Sequence, residues 1–115
     1  MNIKRSICIF VNKLRKKLNN EAIYKINLSD EFPDEFEGDI IYIRGEKKYL
    51  WSFAMECPCG CRDIIYANLI TDEHPFWKIT WNLNGTISIS PSIWRNKGCR
   101  SHFFIKNCKI DWCKY

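Results

Sequence analysis

No apolar run in the 115 residues approaches the roughly 20 that a membrane-crossing helix needs, so no membrane partner is expected. The basic start "MNIKRSICIFVNKLRKKL" resembles a signal peptide only at first sight. Its apolar stretch runs only from Ile7 to Val11, and no small-residue cleavage site follows. The chain is therefore expected to be mature protein in a reducing cytoplasm. Internal repeats and low-complexity tracts are also missing. Histidine is scarce: only His74 and His102 are present, too few for a catalytic metal site built on imidazole. Excess positive charge is lacking outside one segment. Lys4, Arg5, Lys13, Arg15, Lys16 and Lys17 carry +6 in the first 20 residues, against +5 for the whole chain, which leaves −1 for the other 95. That distribution argues against a nucleic-acid surface spread over the fold, and nucleic acid is not an expected partner.

What the chain does have is aromatic side chains, five of them Trp, and seven cysteines. The length fits a single domain over residues 1–115. Ile7, Phe10, Val11, Leu14 and Leu18 recur at helical spacing, which predicts an amphipathic basic helix over about residues 4–19, within a segment 1–20. Beyond it, "AIYKINL" and "DIIYIRG" read as strands around the acidic loop "SDEFPDEFEG". "KKYLWSFAM", "DIIYANL", "WKITWNL", "TISIS", "HFFIK" and "KIDWC" follow as short β segments, with Asn84-Gly85 as a hairpin turn signal. The expected fold class is α+β, mostly β: a small antiparallel domain with one N-terminal helix.

Seven cysteines in a chain expected to stay reduced point to metal ligation rather than disulfides. Cys57, Cys59 and Cys61 alternate with Pro58 and Gly60, residues that let a short loop curl its sulfurs toward one centre. The C-x-C-x-C spacing departs from the C-x-x-C of a zinc knuckle. A fourth ligand must come from a distance. Cys99 after Gly98 is favoured, with Cys113 as the alternative and Cys108 also available, whereas Cys8 reads as a small buried hydrophobe. Thiolates with no histidine or carboxylate imply a closed zinc site that staples the domain rather than a reactive metal. Reduced free thiols, or thiols in redox use, are the other reading.

The stretch "SPSIWRNKGCRSHFFI" adds Ser92, Ser101 and His102. Neighbours on a strand face opposite ways, so Ser101 and His102 are poor mutual partners. If "TISIS" pairs antiparallel with "HFFIK", Ser92 and His102 share one end of the hairpin, where Cβ atoms come within ~5 Å. Serine needs a neighbouring base to become a nucleophile, and histidine titrates near neutrality. Ser92 is the expected nucleophile, Ser101 the alternative, and His102 the base. Asp111 is the expected orienting acid, because a two-residue turn at Asn107-Cys108 sets it opposite Phe104; Glu56 is the second choice. Arg100 and Trp94 are the expected substrate contacts. A buried histidine that only satisfies loop carbonyls is the plain structural reading.

Taken together, "CPCGC", "ISPSIW", "GCRSHFFI" and the final "IDWC" resemble a bacterial domain-of-unknown-function family over about residues 50–113. Its members are encoded beside ubiquitin-like proteins and E1- and E2-like enzymes, in operons linked to antiviral defence. The resemblance implies a zinc-binding serine peptidase that acts like a deubiquitinase, with a ubiquitin-like protein or its conjugates as partner. E1- and E2-like enzymes are further candidate partners. The resemblance maps the metal onto Cys57, Cys59, Cys61 and Cys99, and the active site onto Ser92, Arg100, Ser101 and His102. Arg62 departs from the pattern, since many members have glycine there. Two rival functions remain: a non-catalytic zinc-binding interaction module, and a thiol enzyme that uses Cys99 or Cys113 with His102.

Overall fold

A computed structural model describes residues 23–96 and 98–113. The expected N-terminal helix and Cys8 lie outside these residues. Eight strands form, one from each apolar segment of the sequence: β1 Lys25–Ser29, β2 Ile40–Glu46, β3 Tyr49–Glu56, β4 Ile64–Asn68, β5 Lys78–Trp81, β6 Ile87–Trp94, β7 His102–Lys106 and β8 Lys109–Trp112. They make two four-stranded sheets, ordered β1-β2-β3-β4 and β5-β6-β7-β8. Among the described residues no helix is long and apolar enough to cross a membrane.

Period-two alternation decides which side chains are buried. Ile41, Ile43, Phe53, Met55, Ile65 and Ala67 face inward from the first sheet. Ile87, Ile89, Ile93, Phe103, Ile105 and Ile110 do so from the second, and the two sets share one apolar cluster. Two backbone bonds tie the sheets at their margins: Tyr24 N–H donates to Cys108 O at 2.8 Å, and Trp77 N–H donates to Asn68 O at 2.9 Å.

Three local features differ from expectation. First, β1 pairs parallel to β2, not antiparallel. The acidic loop between them has to cross over, and it does so by laying Phe32 and Phe36 on Tyr66, with Phe36 also 5.1 Å from Tyr42. Glu37 N–H donates to Tyr42 Oη at 2.9 Å and fixes the return. Second, the turn signal Asn84-Gly85 sits in a three-residue loop, Leu83 to Gly85. It is closed by Asn82 N–H to Thr86 O at 2.8 Å, with Gly85 at φ 82°. Third, β6 runs on past Ser90 to Trp94, through a register shift between Ile89 and Ile93.

The β2–β3 hairpin carries a second irregularity at Arg44/Gly45. Gly45 has φ 147°, and a Cβ there would lie 2.5 Å from Tyr49 O and 2.8 Å from Leu50 Cα. Backbone atoms cannot move aside cheaply. Gly45→Ala is therefore expected to cost on the order of 2 kcal/mol of stability, read as a lowered denaturant midpoint with an unchanged slope. An unchanged midpoint would contradict the steric account.

Candidate metal centre and candidate active site

β3 runs straight into Cys57, and the chain then reverses into β4. Cys57 N–H donates to Asp63 O at 2.8 Å, and Gly60 N–H donates to Cys57 O at 3.3 Å. Gly60 at φ 91° and Arg62 at φ 68° supply the left-handed curl. Glycine would reach the Arg62 conformation without strain. Between β6 and β7 a second loop reverses at Gly98, φ 68°, and Arg100, φ 53°. It brings Cys99 to the first loop.

The sulfurs of Cys57, Cys59, Cys61 and Cys99 all lie within 4.8 Å of one another. Cys57 Sγ is 3.4 Å from Cys59 Sγ and 3.6 Å from Cys99 Sγ. Four sulfurs at ~2.3 Å around a tetrahedral cation stand about 3.8 Å apart, so the donor set and spacing fit a closed tetrathiolate site. Without a cation the group is unfavourable as thiolates. The contact with Cys59, followed by burial, pushes the Cys57 thiol up to about 12, and burial raises Cys61 to about 11. Arg95 compensates in part, reaching Cys61 Sγ at 3.5 Å, Cys99 Sγ at 3.6 Å and Asp63 Oδ2 at 3.3 Å. Burial opposes the Arg95 charge, but the Cys57 and Cys99 sulfurs and Asp63 outweigh it, and the guanidinium stays protonated.

Ser101 belongs to this cluster. Only 2% exposed, it has its Oγ 3.2 Å from Cys99 Sγ and 3.7 Å from Cys57 Sγ. Cys113 and Cys108 stand apart from it. Cys113 N–H donates to His102 O at 2.9 Å at the end of β8, and Cys108 Sγ accepts from Ile87 N–H at 3.2 Å under the β7–β8 turn.

One residue beyond Ser101 the chain faces the other way. His102 Nε2 lies 2.8 Å from Ser92 Oγ on the outer face of the second sheet. The contact runs along the diagonal of the β6–β7 ladder. Trp94 sits directly across from His102, so Ser92, two residues earlier, occupies the same face on the diagonal. The Trp94 ring, 60% exposed, stacks on the imidazole at 5.0 Å and 14°. Trp77 Nε1–H donates to Ser92 O at 3.2 Å and holds the serine backbone from the other side.

Asp111 pairs across from Phe104, and its carboxylate meets Lys106 Nζ at 3.1 Å, so orienting the imidazole would take it out of that ion pair. Arg100 lies in the turn before β7 with φ 53°, and its side chain is exposed. Two residues escaped sequence reasoning, Arg95 and Trp77. Neither carries a motif; their roles depend on which loops meet.

The described residues thus form a mostly β domain with four converging cysteines that could hold a metal ion and, apart from them, a serine–histidine contact. The chain belongs to the family described as bacterial ubiquitination-like system serine protease (BubE), which it matches over residues 28–113. The match takes in all the strands after β1 and both candidate sites. No curated protein and no solved structure matches the chain.

Thiols with raised pKa values must shed protons to bind a cation. Adding one equivalent of a divalent cation to metal-free protein at pH 7 should release about four protons, measured with an indicator in weak buffer. Bound metal should in turn be lost as the pH falls. Uptake of metal without proton release would contradict the tetrathiolate assignment.

Proposed function

We propose that the protein is a serine peptidase that processes or deconjugates a bacterial ubiquitin-like protein, with Ser92 as nucleophile and His102 as general base. The observation that carries this reading is the 2.8 Å contact between Ser92 Oγ and His102 Nε2. In the proposed reaction Ser92 Oγ attacks the carbonyl carbon at the end of the ubiquitin-like tail, and its proton passes to His102 Nε2. The bond to the leaving amine or alcohol then breaks, and the same proton goes to the leaving group. A water molecule, deprotonated by His102, hydrolyses the acyl-serine and restores the hydroxyl. Trp94 holds the imidazole plane by stacking and shields one face of it. Arg100, exposed beside the site, is a proposed contact for a substrate carbonyl or carboxylate, and Asp111 the proposed orienting acid.

Zinc is the proposed metal at Cys57, Cys59, Cys61 and Cys99. Four thiolates leave no open position, so its role is to hold the two hairpin loops together. The same arrangement favours Ser92 over Ser101: the Ser101 hydroxyl is buried and occupied by the sulfurs. We place the activity in the family's ubiquitination-like system and, with it, in antiviral defence in the cytoplasm.

Ser92→Ala and His102→Ala are each expected to abolish processing of a ubiquitin-like precursor while metal content and melting stay unchanged. The double variant should lose no more than either single one, because nucleophile and base act as a unit. Ser101→Ala should keep its turnover number and instead release metal more readily to a chelator. Full turnover in Ser92→Ala would refute the assignment. Turnover that needs only Cys99 or Cys113 would transfer it to a thiol.

A further inference from the structure

β4 is the last strand of its sheet. Its residues from Ile64 to Asn68 include no charged side chain, one of the devices by which exposed strand edges are usually protected from pairing. Cys57 N–H bonds to Asp63 O and Leu69 N–H bonds to Trp51 O, so the odd-numbered residues of β4 turn their backbone groups toward β3. By alternation Ile64 and Tyr66 turn theirs outward. Asn68 follows the same pattern, its carbonyl taken by Trp77 N–H.

This edge opens on a groove of about 280 Å³, with Ile64, Tyr66 and Ala67 on one wall and Ile93 and Trp94 on the other. Arg95 N–H bonds to Ser101 O, so odd residues of β6 face β7, while Ser92 and Trp94 turn their backbone groups away from β7, toward the groove side. Partner strand β5 covers β6 only as far as Ser90. Neither Ser92 nor His102 lines the groove, but Trp94 does, and its ring stacks on His102. Trp77 lines this groove and also a larger hollow of about 700 Å³.

We infer that this groove takes the extended C-terminal tail of the ubiquitin-like substrate as an added strand on the outward edge of β4, a placement that rests on the peptidase reading of Ser92. The occupant must be extended and slender. The walls present apolar side chains and outward backbone groups, and strand addition uses both. β4 is the docking edge because the Ser92 carbonyl on the facing wall is already bonded to the Trp77 indole. Trp94 covers the tail, and the tail's end emerges at the serine.

The test uses full-length Ser92→Ala protein and a fluorescein-labelled octapeptide copying the C-terminus of the ubiquitin-like protein of its system, with binding followed by anisotropy. Only alternate residues of an added strand bond to its neighbour. N-methylation of one alternate set of peptide amides should therefore weaken binding by about tenfold, and methylation of the other set by less than about threefold. Ile64→Pro removes an outward N–H without touching the ladder to β3, and should weaken binding by a similar factor, whereas Ile64→Ala, which keeps the N–H and trims only the apolar wall, should weaken it by less than about threefold. If Ile64→Pro fails to retain metal and melt normally, the methylation series on the otherwise unaltered chain decides. Equal losses for both methylated sets, or none, overturn the inference. So does displacement of the probe by a peptide of residues 4–19, which would give the groove to the chain's own basic segment. Hydrolysis of p-nitrophenyl acetate separates the two levels: Ser92-dependent hydrolysis without methylation alternation rejects the groove alone. Ser92-independent hydrolysis rejects the peptidase reading, and the groove assignment with it.

Discussion

Everything around the two candidate sites depends on four sulfurs meeting between the tips of two hairpins. Cys57, Cys59 and Cys61 come from the β3–β4 loop of one sheet and Cys99 from the β6–β7 loop of the other. As thiols they form a buried cluster with raised pKa values; around a cation they become a cross-link between sheets. Structural tetrathiolate sites supply on the order of 10 kcal/mol, comparable with the whole stability of a small domain. A cation bound there would therefore weigh as much as the rest of the fold's stability. Ser101 and Arg95 extend it outward, one by a hydroxyl against two sulfurs, the other by a guanidinium shared between two sulfurs and Asp63.

The same hairpin uses its two faces for different work. Ser101, just before β7, reaches the sulfurs, while His102, its first residue, points the other way and meets Ser92. Metal and proposed nucleophile are thus neighbours in the chain but separated by the sheet. In that geometry a cation held by the sulfurs would act by position alone. It would hold the loop from which β7 starts, while Ser92 lies on the diagonal from His102 across the β6–β7 ladder.

Much of this was legible in the residues. All eight strands coincide with alternating apolar segments, because burial on one face leaves a period-two trace in the sequence. The cysteines could be grouped because Pro58, Gly60 and Gly98 mark the loops that can converge. The parallel β1–β2 pair could not be read, since its cause is the packing of Phe32 and Phe36 on Tyr66 and not a property of either strand. Strand alternation separated Ser101 from His102; Arg100, with a left-handed φ, lies in the turn before the strand, where alternation does not apply. Arg95 and Trp77 were invisible for a related reason: each gains its role only after two distant loops meet.

Active-site labelling tests the central claim, that the sulfur cluster positions a serine activated by His102. Metal-loaded and chelator-stripped protein would be treated with a fluorophosphonate, and the modified peptide identified by mass spectrometry. The account predicts modification at Ser92 in the loaded protein and its loss on stripping, with recovery when zinc is restored. Modification at another residue, or equal modification of Ser92 with and without metal, would contradict it.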